Sequence, residues 1–296
     1  MPLDVAWRPC EDYKSESQCK RSSFAFYRAV RDLHPVWLLE EMRATEALHW
    51  EEDHGRARAF SPAEALLYAL VHDHQEYARH LLRAYPSRAL AAPSASFRGC
   101  ACTVAAAPHL ALAVRHERIA ILGLMLEAAA EHFGEDERRA FLDGRGCAHG
   151  GGKSALHVAC EQARGDCLLA LLANGACPHV TDSAGDAPLD CLLEQMERCG
   201  DGDRDASARR ACLGYLMLFV PAPRVRRRTQ LLEDAARWTQ LLGERVYNWV
   251  SGQAPTSLLV MCTRTLLRAR AEVLLEPLPR FLKPPEFRLQ QWGMME

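Results

Sequence analysis

One stretch of the sequence has the residue types of a phosphate-binding loop. Residues 149 to 160 read HGGGKSALHVAC, so three glycines precede Lys153 and Ser154. In a Walker loop the Gly-Lys pair follows an earlier glycine at a set spacing, and the turn at that glycine aims backbone N–H groups at phosphate. The earlier position is occupied here by Cys147, and no β-branched run of a buried strand precedes it. The spacing therefore argues against a nucleotide site.

The same stretch contributes two residues to a set that could catalyse hydrolysis. Ser154, His157 and Asp190 supply a hydroxyl, an imidazole and a carboxylate, which are the groups of a hydrolase triad. Ser154, however, directly precedes an apolar helical pattern, where a serine side chain caps the first turn. We expect His157 to bond backbone groups between adjacent loops. The sequence therefore predicts structural roles for these residues and no catalytic residue.

The twelve cysteines raise the question of a metal site or a disulfide framework. Zinc sites of known type need two pairs of ligands at set spacing, whereas the close pairs here are Cys100-x-Cys102 and His72-x-His74. Cysteines inside apolar helical patterns behave as small buried hydrophobic residues. Those in such patterns are Cys160, Cys167, Cys191, Cys212 and Cys262. We expect reduced thiols, no metal and no cofactor.

The charge balance excludes some classes of partner. Thirty-six basic residues stand against 38 acidic ones, and this net charge of −2 lacks the basic excess of a nucleic-acid-binding protein. Charged residues are spread over the first two dozen positions, so we expect no apolar core of a signal peptide there. The most apolar segment, Cys212 to Val220, is too short to span a membrane. The basic run Arg224 to Arg228 is interpreted as a solvated loop. We expect a soluble cytosolic protein that binds neither nucleic acid nor membrane.

The elements around the opening stretch follow a helical repeat. Apolar residues from Leu156 onward, a turn, and a second apolar run that ends at Gly175 indicate helix, turn, helix and loop. Leu189 follows Leu156 by 33 residues, which is the period of ankyrin repeats. The signature positions are Ser154, Leu156, His157, Ala159, Gly175, Gly185, Pro188 and Leu189.

On these residues the sequence resembles the ankyrin-repeat family, which implies an all-α ankyrin-repeat solenoid. Weaker copies of the pattern fall at Leu66 and Leu110, separated by 44 and 46 residues from the next copy. The extra residues predict long loops over Pro86 to Cys102 and Phe133 to Gly152. We expect about four repeats within residues 61–220.

The N-terminal residues predict a cap on the repeats. We expect disorder over residues 1–20 and a helical cap over residues 21–60, with helices from Ser22 to His34 and from Pro35 to Trp50. A partner-binding role for these helices is the alternative. The apolar side chains expected to face the repeats are Phe24, Tyr27, Val30, Leu33, Trp37, Leu38, Met42 and Leu48.

The C-terminal residues 229–296 form a further predicted helical region. Leu258, Cys262 and Leu266 are spaced by four, so they lie on one face of a helix. This pattern resembles the elongin-binding box of the SOCS-box family, within a segment of about residues 255–290. The segment resembling the cullin-binding element of that family contains Pro277, Leu278, Pro279 and Leu282. It departs from the family at Glu276 and at Pro284-Pro285. An amphipathic cap that closes the solenoid is the alternative.

Ankyrin repeats followed by such a tail resemble the ankyrin and SOCS-box substrate receptors. The resemblance implies a non-catalytic receptor of a RING ubiquitin ligase, with elongin B, elongin C and cullin-5 as partners. It places Leu258, Cys262 and Leu266 on elongin C, and Pro277 to Leu282 on cullin-5. It also implies a protein target held by the repeats, with inosine monophosphate dehydrogenase as one candidate. The alternative is a scaffold that regulates a partner without recruiting a ligase.

Overall fold

The computed structural model describes residues 25–45, 47–51, 56–94, 108–146, 151–199, 205–220, 222–253 and 261–262. These residues fall into two compact units, one within residues 1–148 and the other within residues 149–296. In this part of the chain, no helix has the length and apolar character that crossing a bilayer requires.

The first unit consists of helices and one β-hairpin. Its elements in chain order are α1 (residues 25–31), α2 (Val36–Thr45), β1 (Ala47–Glu51), β2 (Arg56–Ala59), α3 (Pro62–His72), α4 (Gln75–Ala84), α5 (Pro86–Ala89), α6 (His109–Arg115), α7 (Ile119–His132) and α8 (Glu135–Leu142). The first helix of one pair packs on the first helix of the next, α3 on α6, and the second helices pack likewise, α4 on α7. This stacking buries one apolar stripe per helix pair.

The second unit repeats this arrangement. Its elements are α9 (Ala155–Glu161), α10 (Gly165–Ala173), α11 (Pro188–Cys199), α12 (Ala206–Phe219), α13 (Arg228–Glu233), α14 (Ala235–Leu242) and α15 (Glu244–Val250). Helix α9 packs on α11 and α10 on α12. The core of the C-terminal helices contains Trp238, Tyr247 and Trp249, all buried.

One turn geometry joins the two helices of a pair wherever the turn is described. A residue in the left-handed region ends the first helix, and these residues are Leu33, Asp73, Glu117 and Ala163, with φ between 54° and 56°. The next residue donates its N–H to a carbonyl five residues back, as in a Schellman motif. The acceptors are Ala29, Ala69, Ala113 and Ala159, at 2.8 to 3.0 Å. The pair α1 and α2, predicted as a cap, therefore has the turn of a repeat.

The packing of this N-terminal pair differs from the predicted apolar stripe. Phe26 is fully buried, and its ring centroid lies 4.7 Å from that of Phe60. Leu39 is the fully buried residue of α2, whereas Leu33 and Trp37 are 58% and 69% exposed. The prediction that Leu33 and Trp37 face the repeats is wrong, because Leu33 lies in the tight turn and the Trp37 side chain is mostly exposed to solvent.

A polar cluster fastens α2 to α4. The Glu40 carboxylate accepts hydrogen bonds from Arg43 at 2.7 and 2.8 Å, from the Tyr77 hydroxyl at 2.9 Å and from the Tyr85 hydroxyl at 3.2 Å. Burial by itself would raise the pKa of Glu40, but the hydrogen bonds from Arg43 and Tyr77 hold it below its ordinary value. The carboxylate therefore stays charged and links three side chains.

Three further segments differ from the predicted elements. The second helix ends at Thr45 rather than Trp50, and residues 47–51 pair antiparallel with residues 56–59. Alternating apolar and polar residues are as compatible with a strand as with a helix over so short a run. The segments predicted as irregular loops contain the short helix α5 and the helix α8.

Candidate functional site

Two of the residues whose side chains could take part in catalysis lie at the start of α9. Ser154 is the N-cap, and it forms a reciprocal capping box with His157. The Nδ1 atom of His157 accepts the Ser154 N–H at 3.1 Å and lies 2.8 Å from the Ser154 hydroxyl oxygen. Both residues are buried. The hydroxyl is therefore engaged as a cap for the first turn.

The other nitrogen of His157 reaches the following loop. Its Nε2 donates to the backbone carbonyl of Asp186 at 2.9 Å, which assigns the ring hydrogen to Nε2. Burial lowers the pKa of His157, although the Asp186 carbonyl counteracts the shift. A neutral imidazole is thus held between two groups of the repeat framework, and it joins one repeat to the next.

Asp190 occupies the position of His157 in the next repeat, 33 residues later. Its carboxylate accepts the backbone N–H of Ala187 at 2.9 Å and that of Arg226 at 2.9 Å. Burial raises the pKa of Asp190, and the two backbone hydrogen bonds counteract the shift. The hydrogen bonds of His157 go to Ser154 and Asp186, so Ser154, His157 and Asp190 are not connected as a catalytic triad.

The glycine-rich residues before α9 pack against the next loop. A Cβ added to Gly152 would lie 2.4 Å from the Ser183 hydroxyl oxygen, and Gly152 has a φ of +62°. The Ser183 N–H donates to the Gly151 carbonyl at 2.9 Å. Lys153 forms an ion pair with Glu161, which raises the pKa of the lysine. The glycines allow a close approach of two loops, and the lysine is committed to a carboxylate.

The loop from Asp182 to Ala187 forms an exposed turn of the second unit. Asp182 accepts the N–H groups of Ala184 and Asp186 at 2.8 and 3.0 Å, which closes the turn from within. The backbone at Ser183 to Gly185 is exposed at its tip. A rigid exposed loop between stacked helices is the kind of element with which a repeat protein contacts a partner.

The basic run predicted as a solvated loop is attached to this surface. The Arg226 guanidinium donates to the Ala184 carbonyl and, at 3.1 Å, to the Asp186 carboxylate. On α14, Arg237 forms an ion pair with Glu197 of α11 at 3.0 Å. Arg226 is therefore exposed, as predicted for this run, and is also bonded to the repeat loop. Its two partners are 42 and 40 residues earlier in the chain, too far away for a local pattern to indicate.

Two buried polar residues of the first unit were missed by sequence reasoning. Glu64 completes a capping box with Ser61 and also accepts the Ser94 N–H at 3.2 Å. The Ser-x-x-Glu spacing before an apolar run is a known helix-start signal and could have identified it. His109 is fully buried, and its Nε2 donates to the Ala63 carbonyl at 3.0 Å. The Ser94 hydroxyl also donates to Glu64, so Glu64 joins the start of α3 to Ser94, whereas His109 joins α6 to α3.

The remaining signature residues take framework positions. Leu156, Ala159 and Leu189 are buried, and Pro188 begins α11. Gly175 has a φ of +94° where α10 ends, and Gly185 has a φ of +84° in the exposed loop.

The predicted helical cysteines lie in two kinds of environment, buried and exposed. Cys160, Cys167, Cys191 and Cys212 are buried, whereas Cys262 is exposed. Burial raises the pKa of both Cys191 and Cys212 to about 12, so these thiols are poor nucleophiles. Within the described ranges, His, Cys, Asp and Glu side chains form no group of three suited to a metal ion.

Most of the tail residues with predicted binding roles lie outside the described part of the chain. This applies to Leu258, Leu266, Pro277, Leu278, Pro279 and Leu282. Cys262 is described together with Met261, and both are helical and exposed.

Within each unit, helix pairs stack on one another, the described turns inside pairs are left-handed, and in the second unit a Ser-x-x-His cap bonds to the following loop. This architecture defines an ankyrin-repeat protein. The chain is 45% identical, over 299 aligned positions, to ankyrin repeat domain-containing protein 9 from Mus musculus. The alignment covers 91% of this chain and 90% of the mouse protein. The chain belongs to the family of ankyrin repeat domain-containing protein 9. No protein-family model matches it.

Proposed function

We propose that this ankyrin-repeat protein is a non-catalytic substrate receptor of a RING ubiquitin ligase in the cytosol. Its repeats bind a protein target, and its C-terminal segment recruits elongin B, elongin C and cullin-5. The receptor makes no bond; it brings a target lysine to a charged ubiquitin carrier at raised effective concentration. Inosine monophosphate dehydrogenase is the target suggested by resemblance.

The observation that supports a binding function is that the polar side chains near α9 form hydrogen bonds and ion pairs within the repeat framework. The Ser154 hydroxyl lies against the His157 ring within the capping box, and the other nitrogen of that ring donates to a backbone carbonyl. The Asp190 carboxylate accepts two backbone N–H groups and makes no contact with the ring. The lysine that follows the glycines is paired with Glu161. These groups stabilise a stack of helices and its exposed loops, which is the requirement of a scaffold for protein contacts.

The tail supports the ligase part of the proposal. Leu258, Cys262 and Leu266 recur every fourth residue, so a helix places them on one apolar face suited to a groove. At the one position of this face that is described, Cys262 is helical and exposed. A side chain that caps the repeats would be buried, whereas one that docks on a partner must be accessible in the free protein.

Co-purification with elongins B and C tests the ligase part. We expect the full chain to retain both elongins and the double variant Leu258→Asp/Cys262→Asp to lose them. The matched control is Val260→Asp/Thr263→Asp, which adds the same charge at positions that the predicted helix would place on other faces, and it should bind normally. Equal retention by the two variants would reject the adaptor proposal and leave a scaffold that binds its partner without a ligase.

Quantitative affinity-purification mass spectrometry tests the target. We expect inosine monophosphate dehydrogenase to co-purify with the full chain and to accumulate in cells that express the double variant. Enrichment of the dehydrogenase without a change in its half-life would favour the scaffold instead.

A further inference from the structure

The basic residues of this chain are almost all arginine. Of its 36 basic residues, 32 are arginine and four are lysine, at positions 14, 20, 153 and 283. In an average composition, where lysine is among the commonest residues, a chain of this length would carry roughly 15 to 20 lysines. Lys153 is the one lysine between residues 21 and 282. The repeats and most of the tail therefore carry positive charge almost without primary amines.

The distinction between the two cations decides the chemistry of ubiquitin transfer. An uncharged lysine Nζ attacks the thioester carbonyl carbon that joins ubiquitin to the cysteine of its carrier, so a C–N bond forms and the C–S bond breaks. On forming the amide, this uncharged nitrogen gives up one proton, which ends on the released thiol; a charged lysine must first lose another proton to solvent. An arginine guanidinium stays protonated in proteins and does not attack. Arginine supplies charge without becoming an acceptor.

A substrate receptor is more exposed to ubiquitination of its own lysines than most proteins are. The proximity that raises the effective concentration of target lysines at the charged carrier acts equally on lysines of the receptor itself. Each accessible lysine on its surface competes with the target and marks the receptor for degradation.

The lysine within the repeats is held by its surroundings. Lys153 pairs with Glu161, and the two side chains are 33% and 26% exposed. Its stem also lies beside Gly151, where a Cβ would approach the Lys153 side chain to 3.4 Å. The ion pair favours the charged amine and raises the pKa of Lys153, which reduces the uncharged fraction that reacts.

We propose that the chain limits its own ubiquitination by carrying arginine in place of lysine and by pairing Lys153 with Glu161, so that self-modification falls on Lys14, Lys20 and Lys283. This inference rests on the proposed ligase function. It assigns three acceptor sites, one shielded lysine and a reason for the arginine content.

The first test is a reconstituted ubiquitination reaction with the full chain, elongins B and C, cullin-5, a RING subunit, ubiquitin and its activating and carrier enzymes. Mass spectrometry of the Gly-Gly remnant should place ubiquitin on Lys14, Lys20 and Lys283 and leave Lys153 nearly unmodified. A remnant on Lys153 as abundant as on the other three would overturn the shielding.

The second test restores lysines where the chain has exposed arginines. Arg79 on α4, Arg139 on α8 and Arg198 on α11 are exposed, and each substitution to lysine keeps the charge. In the triple variant the acceptors other than Lys153 rise from three to six, so we expect about a twofold rise in ubiquitin per receptor when each is equally accessible. We also expect a shorter half-life in cells. An unchanged ubiquitin load and half-life would mean that the arginines reflect composition alone.

The third test releases Lys153. Glu161→Gln removes its charged partner, and a several-fold rise of the remnant on Lys153 is expected. Glu194→Gln is the matched control, because Glu194 stands 33 residues later at the same position of the next repeat. Equal remnant levels on Lys153 in both variants would show that the ion pair gives no protection.

A fusion separates failure of this inference from failure of the proposed function. In a full chain with a RING domain fused to its C-terminus, ubiquitin transfer no longer depends on elongin binding. If the unfused chain binds no elongin, the ligase function is rejected. The fused chain then still reports whether arginine content and the Lys153 pair limit modification. Indifference of the fused chain to the triple lysine variant would reject the inference itself.

Discussion

Acidification should destabilise the first unit through one fully buried histidine, His109. Its Nε2 donates to the Ala63 carbonyl at 3.0 Å, so the neutral ring carries its hydrogen there. Its Nδ1 is buried without a hydrogen-bond partner among the described residues. A proton added at Nδ1 would place a charge in the core between α3 and α6. Burial accordingly lowers the pKa of His109 to about 4, against the effect of the Ala63 carbonyl.

The size of the effect follows from linkage. The unfolded chain binds this proton near pH 6.5 and the folded chain only near pH 4, so the stabilisation is present above pH 6.5 and is lost as the pH falls toward 4. A difference of this size between the folded and unfolded pKa corresponds to about 3 kcal/mol in total. By pH 5 the expected loss is about 2 kcal/mol.

Urea denaturation of the full chain between pH 7.5 and 4.5, followed by circular dichroism, measures this loss. Hydrogen exchange of peptides from α3 and α6 then locates it. His109→Gln keeps a donor for the Ala63 carbonyl and cannot titrate, so its stability should fall less steeply with acid. The control is His132→Gln, which removes an exposed histidine of the same unit. Parallel pH profiles for the wild type and His109→Gln would refute the reasoning.

The remaining predictions concern stability and are read from urea unfolding. Gly152→Ala should lower the free energy of unfolding by about 2 kcal/mol, because the added Cβ would contact Ser183 and the backbone has a positive φ. Gly134→Ala is the control and should be nearly neutral, because the space around its Cβ is open. Equal losses in the two variants would contradict this prediction. Glu117→Gly should stabilise by about 0.5 to 1 kcal/mol, since Glu117 is exposed and has a φ of 56°; a loss would mean that its side chain matters. Tyr77→Phe should lower the free energy of unfolding by about 1 to 2 kcal/mol, because it removes a hydrogen bond to the charged Glu40. In a double-mutant cycle, the cost of Tyr77→Phe should be smaller when Glu40 is already replaced by Gln; an equal cost in both backgrounds would contradict the pairing.

The N-terminal helix pair shows how far local patterns reach. The sequence predicted two helices that shield the repeats, and helical periodicity was sufficient to place them. It could not select the buried face, because α1 has apolar residues around much of its circumference. Phe26 is buried because Phe60 and Tyr77 lie opposite, and these partners come from other elements. The left-handed turn at Leu33 was equally hidden, since leucine does not signal a positive φ.

The polar residues near α9 divide in the same way. The cap of Ser154 was readable, because the contact between a residue and the third residue after it depends only on helix geometry. The role of His157 between loops followed from the repeat period. The attachment of Arg226 to the loop before α11 did not, because its partners are 36 to 42 residues away.

The sequence by itself determined the ankyrin period, the helix starts and the absence of a Walker loop, because these depend on spacing within one or two repeats. Only the tertiary structure decided that the potential triad is unconnected, that Lys153 is paired, and that the basic run contacts a repeat loop. Each of those outcomes depends on which groups the stacking of helices brings within hydrogen-bond distance. That distance is set by the packing of the whole unit rather than by neighbours in the chain.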